Sequence, residues 1–257
     1  MIVDNTAVPL LAKPLDHGAA IVVYSTTKYL GGHGTSIGGL IVDGGNFDWA
    51  AHPLRQPALN TPDPSYHGAV WTEAVKPLGP TAYIIKARVT LLRDLGAAQS
   101  PFNAFLTLQG IETLPLRIAR HSNNAQDVAN FLTKRADVAR VIHPSQQSGL
   151  QRERAEKYLP KGFGGLVGFE LKGGVEAGRR FIDALKLAYH VANIGDARTL
   201  VIHPATTTHS QLDSSRQLAS GVSPGYVWLS VGLEHIEDIL DDIEQALDAA
   251  TALKIAA

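Results

Sequence analysis

The sequence predicts an α/β or α+β protein built in two layers, and three observations predict it. Short apolar runs rich in β-formers, such as Ala20-Ile21-Val22-Val23-Tyr24, recur along the chain and end in clusters of Ser, Thr, Gly or Asp. Longer segments with apolar residues every three or four positions lie among and after them. The 257 residues are 45% apolar, enough for one large unit or two modest ones with a real core.

The elements follow in order. Met1 to Val3 reads as the end of a strand, and Ala20 to Tyr24 as a buried one. Ser25-Thr26-Thr27-Lys28-Tyr29-Leu30 leaves that strand, followed by Gly31-Gly32-His33-Gly34. Ile37 to Val42 is again β-prone and is stopped by Asp43-Gly44-Gly45. Pro53 to Gly68 holds four prolines and reads as a long surface loop. Tyr83 to Leu95 has helical spacing and stops at Gly96; Leu116 to Leu132 and Glu176 to Leu187 are further helices. Ala139 to Ile142, Val167 to Leu171, Leu200 to Ile202 and Val227 to Val231 are strand candidates. The clearest pattern is the last. Ile236, Ile239, Leu240, Ile243, Leu247 and Ala250 recur at helical spacing, and Glu234 with nearby acids suits the amino end of that helix. A break near Gly96 to Pro101 divides the chain into 1–98 and 99–257.

Composition narrows the function. There are 23 basic and 24 acidic residues, for a net charge of -1, and no basic block of the kind nucleic acid requires. With no cysteine, disulfides, thiolate nucleophiles and cysteine metal sites are excluded. No apolar run approaches the roughly 18–20 residues that span a bilayer, and the first residues do not read as a signal peptide. A cytoplasmic protein without membrane contact is the expectation.

The residues with most chemical content surround Lys28. A lysine just after a buried strand is unusual if it serves only solubility. Ser25 and Thr27 alternate before it, so their hydroxyls share one side of an extended chain. Hydroxyls and backbone N–H groups at a strand end can hold a phosphate, and a lysine beside a carbonyl-bearing cofactor can form an imine. Asp4, if its strand ends beside that of Lys28, can face the same cleft and favour a protonated pyridine. Each has a plainer reading: a solvated lysine, a glycine-rich turn, an aspartate capping Asn5-Thr6. Gly32-His33-Gly34 is not a dinucleotide fingerprint, since Ile37 occupies the third glycine position. His203 and His209 lie six apart in the loop-like sequence His203-Pro204-Ala205-Thr206-Thr207-Thr208-His209 without the further ligands of a zinc site, so local hydrogen bonding is the expected role of His203.

Taken together, Val3-Asp4-Asn5-Thr6, Ser25 to Gly34, Tyr66-His67-Gly68, Arg93 to Gly96, Gly110 to Leu114, Ala192 to Asp196 and His203 to Gln211 resemble the Cys/Met-metabolism PLP-dependent (trans-sulfuration) enzymes. The O-acetylhomoserine sulfhydrylase branch is the most similar. The resemblance implies the C-terminal part of a fold-type I PLP transferase: the remainder of a large α/β domain and a smaller α+β domain. It implies pyridoxal 5′-phosphate held by Lys28 as a Schiff base, Asp4 at the pyridine nitrogen, and Ser25 and Thr27 near the phosphate. Asn193 and Thr199 fall on the substrate-carboxylate side. The implied reaction joins sulfide or methanethiol to O-acetyl-L-homoserine, giving homocysteine or methionine and acetate, in a homotetramer. A cystathionine or methionine γ-synthase or γ-lyase of the same family is the alternative.

Two departures from the family carry expectations of their own. The family's chain has an N-terminal half with a phosphate loop and a ring-stacking tyrosine. The resemblance therefore implies a partner chain supplying that half, or else a non-catalytic fragment or interaction subunit. In Tyr226-Val227-Trp228-Leu229-Ser230, Trp228 stands where the family has the arginine that grips the substrate carboxylate. Tryptophan has one N–H and no charge, so substrate binding is expected to weaken unless Arg198 compensates.

Overall fold

The computed structural model describes residues 1–252. Its first sheet has strands β1 (Ile2–Asp4), β2 (Ile21–Ser25) and β3 (Gly39–Asp43), in that order. β1 and β2 are parallel, with Asp4 opposite Val23; β2 and β3 are antiparallel, with Ser25 opposite Gly39. The second sheet has β4 (Val138–Ile142), β5 (Leu166–Leu171), β6 (Tyr189–His190), β7 (Leu200–Ile202) and β8 (Tyr226–Ser230), ordered β4-β5-β8-β7-β6. Only its β6–β7 pair is parallel.

Alternation along the central strands builds the main core. Val167 and Phe169 of β5 and Val227 and Leu229 of β8 are completely buried on one face. That face meets helices α1 (Pro101–Leu132), α3 (Gly174–Ala184) and α4 (Ile236–Thr251). Phe169 meets Phe181 of α3 edge to face, ring centroids 5.4 Å apart. From α4, Ile239, Ile243 and Leu247 enter the same core, each burial contributing about 1.5–3 kcal/mol. Asp242, also on α4, points inward. It accepts hydrogen bonds from the backbone N–H groups of Lys186 (2.8 Å), Leu187 (2.9 Å) and Ala188 (3.0 Å).

Four local features differ from the sequence expectation. Helix α1 begins at Pro101, capped by Ser100, whose hydroxyl accepts from the Asn103 N–H, and runs through Pro115 rather than starting at Leu116. Its first half packs on the lysine turn through Gly110 and Leu114, while Phe102, Phe105 and Leu108 face outward. Pro53 to Gly68 is not a plain surface loop: it contains helical turns Pro57–Asn60 and Pro64–Tyr66, and Leu59 and Asp63 are buried. Leu59 joins Trp71, Val75 and Ala82 in a satellite core, and Asp63 accepts from the Trp71 indole at 2.8 Å and from Lys86. Helix α2 (Gly149–Tyr158) was not expected, because it buries only Ala155 and so shows no apolar period. Finally, Glu234 does not serve the N-terminus of α4; its carboxylate turns to Thr199.

The helical stretch before Gly96 is as expected, though its middle, Ala87–Leu92, is widened to π geometry. Gly96 ends it in the left-handed region at φ 71°. No helix among the described residues is long and apolar enough to cross a membrane.

Candidate active site

Parallel strands release their chains at one edge, and ligands of α/β proteins gather there. β1 ends at Asp4 and β2 at Ser25, so the predicted acid, hydroxyls and lysine all emerge at the carboxyl ends of two adjacent strands. Thr6 links them. Its N–H donates to Asp4 Oδ1 at 2.9 Å, and its hydroxyl accepts from the Ser25 N–H at 2.7 Å. The Thr6 hydroxyl and N–H hold the Asp4 carboxyl below its usual pKa, so this exposed acid is ionised at neutral pH.

Lys28 stands in a wide turn, Thr26–Leu30, of π geometry. Within the turn Lys28 departs from helical geometry, at φ −88° and ψ −134°. The turn is closed by Gly31 N–H to Thr26 O (2.9 Å) and Gly32 N–H to Lys28 O (2.8 Å). The half-buried Lys28 amine donates to Asn193 Oδ1, a neutral partner 165 positions away. Thr27 Oγ1 accepts from the Gly38 N–H at 3.1 Å and keeps its own proton to donate. Ser25 Oγ makes no hydrogen bond among the described residues. Thr26, between them, points inward and is buried.

The Asn193 loop is tied to both sheets. Gly195 N–H donates to Ser230 Oγ at 2.9 Å, and Ala197 N–H to Gly32 O at 2.8 Å. Thr199 is buried at 1% exposure and engaged twice: its hydroxyl donates to Glu234 (2.8 Å) and accepts from the Gly232 N–H (2.9 Å). It braces the loop, while Asn193 alone of that pair reaches Lys28. Trp228 lies mid-β8 between Gly168 and Ile202, half-buried, on the face opposite Val227 and Leu229. Ser230 shares its face, so that face looks toward the Asn193 loop. Arg198 does not supply a free cation. Its guanidinium grips Asp196 through two bonds, 3.0 and 3.1 Å, and lies over the Tyr189 ring at 4.8 Å. Burial opposes the charge on Asp196, but the Arg198 bonds prevail and hold its pKa below the usual range. His203 is locked as expected, between Thr206 Oγ1 and Pro224 O at 2.9 Å each.

Sequence reasoning missed Thr6, Arg117, His121 and the Thr199–Glu234 brace. Arg117, on α1, donates to Tyr29 O at 2.7 Å and Gly110 O at 2.6 Å. His121, also on α1, meets the Tyr29 ring edge-on at 5.1 Å. Gly110, Arg117 and His121 are spaced seven and four apart, one helix face, a signal visible once α1 is extended to Pro101.

The chain as a whole is similar to known proteins. A family model described as Cys/Met metabolism PLP-dependent enzyme matches residues 1–248. An O-acetyl-L-homoserine sulfhydrylase of Leptospira meyeri is 54% identical over 96% of this chain and 57% of its own length. A homocysteine synthase of Schizosaccharomyces pombe is 47% identical over 97% of this chain and 58% of its own. A crystal structure of an O-acetylhomoserine (thiol)-lyase of Campylobacter jejuni, carrying an N′-pyridoxyl-lysine-5′-monophosphate, superposes with a TM-score of 0.87 at 41% identity. It covers 96% of this chain and 58% of that one. The chain thus spans little more than half the length of these relatives. Its two sheets are those of the large and small domains of a fold-type I PLP enzyme. A lysine and an acid on neighbouring strand ends, the match over residues 1–248 and the shared fold lead to one conclusion: the chain belongs to the Cys/Met-metabolism PLP-dependent enzymes.

Proposed function

We propose that this chain carries the reactive lysine of an O-acetyl-L-homoserine sulfhydrylase, which uses pyridoxal 5′-phosphate to make homocysteine or methionine from sulfide or methanethiol, with release of acetate. The observation that carries this reading is the placement of Lys28 and ionised Asp4 at adjacent parallel strand ends, with the amine opposite a neutral amide. The donor set fits the cofactor. Lys28 offers an amine with no carboxylate partner among the described residues, Asp4 a carboxylate for a ring nitrogen, and Ser25 and Thr27 hydroxyl protons for a phosphate.

When bound, the cofactor supplies an aldehyde that takes up the substrate amino group and a ring that accepts electrons. Asp4 holds the proton on the ring nitrogen. The Lys28 amine would act as base and acid, moving protons at substrate Cα and Cβ through Nζ. Asn193 orients that amine. The net change is substitution at Cγ, where the sulfur nucleophile replaces acetate. Trp228 faces this cleft as the family's carboxylate-binding arginine would, and brings no charge for that task.

The wider reading follows from the relatives' length. The open sheet β1-β2-β3 belongs to a large domain completed by further chain or a partner chain, in a homo-oligomer in the cytoplasm. We keep the division at 98/99, in the stretch without helix or strand between Gly96 and Pro101. The test is to incubate the chain with pyridoxal phosphate, alone and with a chain bearing the family's N-terminal half, and record absorbance and thiol product. Lys28→Ala should abolish the cofactor band and lower turnover by about 10²–10⁴-fold. A band that survives Lys28→Ala would sink the proposal. Faster turnover of cystathionine than of O-acetylhomoserine plus sulfide would move it to the γ-synthase or γ-lyase branch.

A further inference from the structure

Arg117 is a cation only 6% exposed, and among the described residues no carboxylate lies within ion-pair reach of it. A buried charge without a counter-ion persists where polar groups surround it. Here they are carbonyls. One terminal nitrogen donates to Tyr29 O at 2.7 Å; the other donates to Leu30 O at 3.1 Å and to Gly110 O at 2.6 Å. Nε donates to Thr113 Oγ1 at 3.1 Å, which fixes the plane of the fork. Tyr29 and Leu30 are the two residues immediately after Lys28.

The backbone around the fork leaves it no slack. Gly32, in the left-handed region at φ 78°, lies so close to the guanidinium that any Cβ there would collide with it. Gly110 lies equally close to the carbonyls of Leu30 and Gly31. Helix α1 therefore abuts the lysine turn through a missing side chain on each partner, and Arg117 fastens the contact. The charge lies at the carbonyl end of the turn, where a cation is favoured. Lysine in its place could meet one carbonyl at a time, because its ammonium is a point and not a fork.

We infer that Arg117 is a positioning residue for Lys28: it clamps the Tyr29 and Leu30 carbonyls to α1 and thereby fixes the direction in which the Lys28 amine leaves the turn. This rests on the reading of Lys28 given above, and the experiment separates the two. Arg117→Lys is compared with the parent chain, first without cofactor. Amide exchange at Gly31 and Gly32, whose N–H groups close the turn, should quicken about ten- to a hundredfold, as expected for loss of charged hydrogen bonds. Amides of β5 and β8 should not change. Acylation of Lys28, read by peptide mass against Lys13 and Lys161, should quicken with them. In the loaded protein, half-saturation by pyridoxal phosphate should rise and kcat fall, while KM for the amino substrate stays within about twofold.

Unchanged exchange at Gly31 and Gly32 together with unchanged Lys28 acylation would overturn the clamp, whatever the cofactor does. Retention of cofactor by Lys28→Ala would overturn the lysine reading and leave the clamp to be decided by exchange and acylation. Should Arg117→Lys not fold, Thr113→Val decides. It keeps the fork but frees its plane, and should shift the same two readouts in the same direction by about two- to tenfold. No shift in that variant would defeat the inference.

Discussion

The two sheets are opposites in how they use burial. In the five-stranded sheet, Val167, Phe169, Val227 and Leu229 are fully enclosed by three helices. In the three-stranded sheet, Ile2 is 64% exposed and Leu40 and Ile41 of β3 are each more than 40% exposed. Yet Asp4, Ser25, Thr27 and Lys28 all belong to this thinly covered sheet or to the turn that leaves it. The well-packed unit contributes the Asn193 loop, Ser230 and the helix that grips the lysine turn. The candidate reactive groups thus lie on the sheet that this span of chain covers least, and the well-packed unit supplies the partners that align them.

The first test of this division is Trp228→Arg, which would put a charged fork on the rigid sheet, on the face that looks toward the Asn193 loop. Recovery of a carboxylate pair worth about 2–5 kcal/mol would tighten amino-substrate binding by about 30-fold to several thousandfold. Spectral titration of the loaded protein with O-acetylhomoserine measures it, and unchanged affinity would mean that the rigid sheet does not present this position to substrate.

Of similar size is the packing contrast itself. Phe169→Ala removes a fully buried ring and should cost about 3–5 kcal/mol of stability. Ile2→Ala, on the open sheet, should change stability by less than about 0.5 kcal/mol. Denaturant melts of the two variants give both values, and comparable losses would erase the contrast.

A third test is graded by pH. Burial lowers the His121 and His143 pKa values to about 4, and the Arg117 charge adds to the effect on His121. Both lie below the unfolded value of about 6.5. Above that pH neither state is protonated at these rings and they exert no pull. As pH falls from 6.5 toward 4 the unfolded chain gains protons that the folded chain refuses, so stability drops. The full effect is about 3 kcal/mol per ring. Melting curves from pH 7 to 4 should show the drop, and His143→Gln should make it shallower.

Much of the fold was legible because its signals were local. The run Ile21 to Tyr24, the helical spacing of Ile236 to Ala250 and the Gly96 stop each depend on near neighbours in sequence. The first half of α1 was illegible for a physical reason. Its inward face carries Thr107 and Gly110, where a search for apolar periodicity expects Leu or Val, and its Phe102, Phe105 and Leu108 point outward. Glu234 misled similarly: an acid just before a helix suggests an end charge, but a buried hydroxyl and N–H at Thr199 bind it more strongly. At the candidate site, a lysine after a buried strand drew attention to Lys28, but the roles of Lys28 and Asp4 came from the ordered set of motifs that resembles the family and not from spacing alone. Asn193 was placed by the resemblance, but its bond to the Lys28 amine 165 positions away, and the grip of Arg117 on Tyr29, depend on long-range proximity that no spacing reveals. Thr6, two residues from Asp4, was legible in principle as a local turn.

Asp242 carries one further consequence. Its carboxylate gathers three amides from a segment more than fifty positions earlier, on the same helix that seals the five-stranded sheet. During synthesis those amides and the bare sheet face must wait until residues 236–251 have emerged, so this unit matures late and all at once. A protease should find residues 186–188 easy to nick while the nascent chain is short, and shielded once Asp242 has docked.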